Sequence, residues 1–265
     1  MLSRNLLRLI ITMKKVIEKI YMVWVWTSFV IVFAFLYIPF CISVQRESWK
    51  KYGHFLNRIW AHTVFLFCFL PTKVEWRFKV NKKKQYIYCA NHASYLDIPT
   101  MGYALPGYNV FIGKSSLGRL PLFGYMFRNL YVSVDRRSSK SKYETIVQSM
   151  KKIDLGYNLA IFPEGTISKN HAPALMDFKD GAFRIAIEKQ VAVVPMTIVN
   201  NWLILPDDGK YVPRRRLMKT VIHEPIETTG LTMNDVDWLK EKTKQVIADE
   251  LRKHFPEIYN EKEKV

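Results

Sequence analysis

Twenty-four consecutive residues without a charge, Tyr21 to Val44 (YMVWVWTSFVIVFAFLYIPFCISV), constrain this chain more than any other feature. As a helix the run covers roughly 36 Å, enough for a hydrocarbon core of about 30 Å. The apolar part of a secretory signal is about 7–15 residues and ends at small side chains. Here Phe40 precedes Cys41. A helix apolar all round and rich in Trp and Tyr suits lipid better than a protein interior. The run therefore predicts membrane attachment.

Arg4, Arg8, Lys14, Lys15 and Lys19 precede it, and Arg46, Lys50, Lys51 and Arg58 follow. Five cations against four give no orientation across a bilayer. A second uncharged run, Ile59 to Leu70, is too short to span. Two apolar helices with basic flanks on both sides predict a hairpin dipping into one leaflet, in preference to a single-pass span. That places the rest of the chain on the cytoplasmic face of the cell membrane or of an internal membrane. There, anionic lipid attracts each nearby Lys or Arg by about 1 kcal/mol. The expected division is membrane-associating helices over 1–71 and an α/β domain over 72–265.

The charge balance agrees. Forty Lys and Arg against 23 Asp and Glu give a net charge of +17, which calls for an anionic partner: nucleic acid, an acidic protein or an anionic bilayer. Three scattered cysteines (Cys41, Cys68, Cys89) provide neither a disulfide framework nor a metal site, and suggest a reducing compartment. His54, His62, His171, His223 and His254 show no ligand spacing.

After Pro71 the pattern changes. Val74, Trp76, Phe78 and Val80 alternate with charged residues, as in a half-buried strand. Short apolar runs follow at Gln85–Cys89, Asn109–Ile112, Leu130–Val134, Asn158–Phe162, Val191–Val199 and Leu217–Ile222. Helical segments lie between most of them. Ser141 with Glu144 predicts a cap opening a helix to about Lys152, closed by Gly156. Gly181–Lys189 is a second helix. Thr232 with Asp235 opens a third, with Val236, Leu239, Val246, Leu251 and Phe255 on one stripe. This alternation predicts an α/β fold, a mixed sheet flanked by helices, with ligands beyond the carboxyl ends of the strands.

Three post-strand loops carry polar chemistry. In Asn91-His92-Ala93-Ser94-Tyr95-Leu96-Asp97 the His and Asp are about 140° apart on an ideal helix, so they meet only if His92 sits on the loop and Asp97 in the first helical turn. Then Asp97 would leave the outer imidazole nitrogen free to accept a proton. Ser94-x-x-Asp97 fits a plain helix cap equally well. Val134-Asp135-Arg136-Arg137 and Phe162-Pro163-Glu164-Gly165-Thr166 are the other two loops. Lys114 and Arg136 would offer charge to a phosphate, and Gly165 would let a ligand approach the backbone. Solvated turns account for both loops as well. The nucleophile elbow is absent, and Gly113-Lys114-Ser115 lacks the first glycine of a phosphate-binding loop because Tyr108 stands there. A His–Asp dyad without a nucleophile would activate a hydroxyl brought by a substrate.

In order and approximate spacing these blocks resemble the 1-acylglycerol-3-phosphate acyltransferase family, over about 73–201. His92 through Asp97 matches its His-x-x-x-x-Asp motif. Val134-Asp135-Arg136, Phe162 to Thr166 and Val193-Val194-Pro195 match its later blocks, and Phe178 to Phe183 resembles the segment between the last two. The family's third block continues with Arg, thought to help hold the acceptor phosphate, where this chain has Ile167. The resemblance implies acyl transfer from an acyl carrier protein (acyl-ACP) or coenzyme A (acyl-CoA) thioester to lysophosphatidic acid, giving phosphatidic acid. It implies His92 and Asp97 as catalytic residues, and Lys114, Arg136, Glu164, Gly165 and Thr166 on the substrate. No cofactor and no metal are expected. Membrane lipids, lysophosphatidic acid and the acyl carrier protein or coenzyme A thioester are the expected partners; nucleic acid is not. The alternatives are an acyltransferase for another lyso-lipid, such as an amino-acid or ethanolamine lyso-lipid, and a non-catalytic lipid-binding protein on the same fold.

Overall fold

The computed structural model describes residues 4–135, 137–168 and 172–262. Its helices are α1 (Arg4–Ser43), α2 (Lys50–Phe67), α3 (Asp97–Ala104), α4 (Phe123–Leu130), α5 (Ser139–Asp154), α6 (Gly181–Glu188), α7 (Asn201–Ile204), α8 (Val236–His254) and α9 (Pro256–Lys262). Its strands are β1 (Thr72–Trp76), β2 (Ile87–Ala90), β3 (Asn109–Lys114), β4 (Val132–Val134), β5 (Asn158–Ile161), β6 (Val193–Ile198) and β7 (Met218–Ile222). Among the described residues these strands form one sheet in the order β1-β7-β6-β2-β5-β3-β4. All neighbours are parallel except β6 and β7, so the expected mixed sheet is present.

Alternation along the strands builds two cores. Ile87, Cys89, Val110, Leu159, Ile161 and Val193 face one side, beneath α5, α6 and α8. Tyr88, Ala90, Phe111, Ala160, Val194 and Met196 face the other, beneath α3. The central strand β2 is buried at all four positions. Strands β2, β5, β3 and β4 are adjacent and parallel, so their carboxyl ends open on one edge. All three polar loops leave from that edge.

Two helix starts refine the expectations. Helix α5 is capped by Ser138, whose hydroxyl accepts the Ser141 amide, because Ser141 Oγ is engaged by the Asp135 amide. The Thr232–Asp235 capping box forms as expected and leads into α8 through a short 3-10 turn. Along α8, Ile247 is buried where the half-buried Val246 was expected.

Helices α1 and α2 form an antiparallel pair. Tyr21 Oη donates to the Cys68 carbonyl at 2.7 Å and Trp24 Nε1 to that of Phe67 at 2.8 Å. At the other end a Cβ on Gly53 would come within 2.9 Å of Ser43 Oγ and of a Leu130 methyl, so a larger residue there would displace those side chains. Among the described residues, α1 holds the one helical stretch, Leu6–Ser43, long and apolar enough to cross a membrane. One side of it is an exposed apolar stripe that includes Ile10, Ile17, Trp24, Ile31, Phe35 and Ile42. In the first turns Arg8, Lys15 and Lys19 fall opposite that stripe, while Lys14, four residues after Ile10, falls along it.

At the far edge of the sheet, buried His223 bridges two elements. Arg77 Nη1 approaches its Nδ1 at 3.3 Å, and a guanidinium only donates, so Nδ1 accepts. Its Nε2–H is then left to donate to Thr197 Oγ1 at 2.8 Å. Burial, aided by the Arg77 charge, lowers this imidazole to about 4. A folded value depressed from about 6.5 means stability present above pH 6.5 and lost as pH falls through 4. Thermal unfolding of wild type should therefore lose up to ~3 kcal/mol between pH 7 and pH 4 from this group. His223→Gln should flatten that slope, and an unchanged slope in the variant would refute the assignment.

Candidate active site

Ala90 ends β2, and the next residue fastens the loop to the sheet. Asn91 Nδ2 donates to the Ile198 carbonyl at 2.9 Å, and its Oδ1 accepts the Ile198 amide at 2.8 Å. This two-way bond holds the chain where the backbone leaves the ladder. His92 follows, with its ring lying on Phe162 at 4.0 Å between centroids.

The chain then turns so that Asp97 faces back across the loop. Asp97 Oδ2 accepts His92 Nδ1 at 3.0 Å, the Ala93 amide at 2.7 Å and the Ser94 amide at 2.8 Å. Asp97 Oδ1 accepts Asn201 Nδ2 at 3.0 Å. The carboxylate is only 1% exposed, and four donors offset the cost of burying it. Because a carboxylate only accepts, His92 Nδ1 is the donor in this pair, and in the neutral imidazole Nε2 is then the acceptor. The dyad drawn from the spacing is thus formed in the structure. The Ser94–Asp97 cap is formed by half: Asp97 reaches back to the Ser94 amide, while Ser94 Oγ accepts the Leu96 amide and donates to the Leu205 carbonyl.

The loop after β5 grips His92 from behind. Glu164 Oε1 accepts the His92 amide at 2.7 Å, and the Ser168 amide donates to the His92 carbonyl at 2.8 Å. Glu164 Oε2 accepts the Met176 amide at 3.0 Å. This carboxylate is 3% exposed, and burial pushes it up to about 7 against the pull of the two amides. Expected on the substrate, Glu164 instead has both oxygens on backbone amides. Gly165 holds φ at +75°, a left-handed conformation that favours glycine, and Thr166 is exposed beside it.

Glu164, Gly165 and Thr166 line a cavity of about 600 Å³ bordered by Phe162, the ring on which His92 rests. Lys114 ends β3 exposed and is not among the residues lining this cavity. Arg136 and His171 lie outside the described residues. Ile167 is half-buried. Asn201, 104 positions from Asp97, had no spacing to announce it; a second Asn after β6 was the only signal. Among the described residues, no group of three or more His, Cys, Asp or Glu side chains is placed to hold a metal ion.

The family model for Acyltransferase matches residues 72–199. The chain is 29% identical over 190 residues to a chloroplastic 1-acyl-sn-glycerol-3-phosphate acyltransferase of Brassica napus, covering 71% of this chain and 54% of that one. It spans about half the length of the plant relatives it matches. In fold it is similar to the crystal structure of the 1-acyl-sn-glycerophosphate acyltransferase PlsC from Thermotoga maritima. There the TM-score is 0.71 and the identity 22%, covering 90% of this chain and 96% of that one. A 1-acyl-sn-glycerol-3-phosphate acyltransferase of Haemophilus influenzae is 31% identical over 179 residues, 62% of this chain and 68% of that relative. With that identity and coverage, the chain belongs to the 1-acyl-sn-glycerol-3-phosphate acyltransferase family.

Proposed function

We propose that this protein transfers a fatty acyl group from an acyl carrier protein or coenzyme A thioester to the free hydroxyl of 1-acylglycerol-3-phosphate, forming phosphatidic acid. The observation that carries this reading is the buried His92–Asp97 pair at 3.0 Å, with Nδ1 on the carboxylate and Nε2 turned away from it. The names of the chain's relatives support the acceptor and product.

In this reaction His92 Nε2 takes the acceptor's hydroxyl proton as the oxygen attacks the thioester carbonyl carbon. Asp97 stabilises the resulting imidazolium. The tetrahedral intermediate collapses with cleavage of the C–S bond, and the imidazolium returns the proton to the leaving thiolate. Glu164 is a positioning residue on this reading: it holds the His92 backbone and touches no reacting atom.

The exposed apolar stripe along α1, with three of its first-turn cations opposite it, supports attachment at the membrane interface, the apolar side toward acyl chains. The cytoplasmic face is part of the proposal and rests on the basic flanks. Ile167 in place of Arg supports a second reading, in which the acceptor is a different lyso-lipid.

Purified enzyme assayed with several lyso-acceptors and both thioester donors tests the reading. Phosphatidic acid should form from 1-acylglycerol-3-phosphate. Transfer confined to acceptors without a phosphate monoester would establish the second reading instead. His92→Ala should lower kcat by about 10²–10⁴-fold while the protein stays folded; turnover near wild type would sink the general-base role. In Asp97→Asn one amide N–H must face a donor, so turnover should fall well beyond any loss of folded protein. Equal losses would reduce Asp97 to a helix cap. Glu164→Gln sets an amide donor against a backbone N–H, and should cost about 1–3 kcal/mol of stability together with a lower kcat; wild-type values in both would remove the clamp.

A further inference from the structure

The cavity beside the dyad has an apolar floor, to which Ile112, Val134, Ile146 and Ile161 contribute, and a rim carrying three cations. Lys142 comes from α5, Lys179 precedes α6 and Arg184 lies on α6. All three are exposed. The two carboxylates in the same lining are engaged elsewhere. Asp180 Oδ1 accepts Lys240 Nζ at 2.9 Å, and Glu164 is held by two backbone amides. Asp177 and Asp237, whose charges reach Lys179 and Arg184, are themselves paired with Lys244 and Lys240. Among the described residues, the side chains of Lys142, Lys179 and Arg184 form no hydrogen bond or ion pair. Three exposed cations without a carboxylate partner around one apolar-floored cavity offer charge to an anion from outside.

We infer that Lys142, Lys179 and Arg184 bind the phosphate of a single-chain amphiphile whose apolar part lies on the cavity floor. This deepens the proposed function and rests on it for the identity of the amphiphile. The three cations would provide charge that Ile167 cannot. Two molecules present such a phosphate beside an acyl chain: the lysophosphatidate acceptor and a coenzyme A thioester. The shared chemistry is the phosphate, and binding measurements separate the sources.

The test uses the full chain in non-ionic detergent. One probe is a short-chain 1-acylglycerol-3-phosphate kept below its micelle concentration. The second is the monoacylglycerol of the same chain, and the third is coenzyme A. Wild type should bind the phosphate-bearing lipid at least about tenfold more tightly than the monoacylglycerol. Lys179→Ala with Arg184→Ala should remove about tenfold of that affinity and leave the monoacylglycerol unchanged. Lys142→Ala should weaken it in the same direction. Lys151→Ala, an exposed cation on α5 outside the cavity, should have no effect, separating contact from net charge. A loss confined to coenzyme A would assign the rim to the donor's phosphates and sustain the inference. Equal affinity of wild type and the double variant for both phosphate probes would overturn it. Absence of acyl transfer with phosphate binding intact would instead refute the enzymatic reading alone.

Discussion

One buried carboxylate organises the site. Asp97 is shut away from water, and an ion in that position is tolerable only with donors on every side. The chain provides them from three places: the imidazole of His92, the amides of Ala93 and Ser94, and the side chain of Asn201. The turn after β2, the entry to α3 and the tautomer of His92 follow from satisfying this one group. Helix capping and catalytic orientation are therefore not rival roles here. The same oxygen, Oδ2, performs both.

The sheet determines what can gather around that carboxylate. Parallel strands send their carboxyl ends to a common edge, so segments 72 residues apart meet as Glu164 and His92 do. Glu164 is the counterpart of Asp97: a second buried carboxylate, met by backbone amides, holding the opposite side of the histidine. Between them the two acids fix the main chain and the ring of His92 without occupying its free nitrogen.

Much of this was legible in the residue order. One alternating segment and six short apolar runs located the seven strands, and the Thr232–Asp235 box and Gly156 marked helix ends, because these signals depend on a few adjacent side chains. The start of α5 moved to Ser138 because Ser141 Oγ accepts the Asp135 amide while Ser138 Oγ accepts that of Ser141, and spacing does not say which serine caps the helix. The antiparallel pairing of β6 with β7 depends on chain reversal rather than on either strand's pattern. Glu164 illustrates the limit most clearly. A glutamate between Pro163 and Gly165 looks like an exposed turn residue, and only the loop's three-dimensional path turns it inward. Asn201 was invisible for a related reason, since its partner lies a hundred residues away.

The α1–α2 pair and the α/β body share one hydrophobic cluster, in which Val25, Val64, Phe65 and Leu70 pack with Leu96, Ile204, Leu205 and Met218. Leu96 immediately precedes Asp97, and Leu205 carries the carbonyl that receives Ser94 Oγ. Cutting the chain ahead of β1 to obtain a water-soluble fragment would strip the backing from the very loop that orients the imidazole. The α1–α2 pair is in this sense the support of the loop that carries His92, and biochemistry on this protein has to be done with those apolar helices attached.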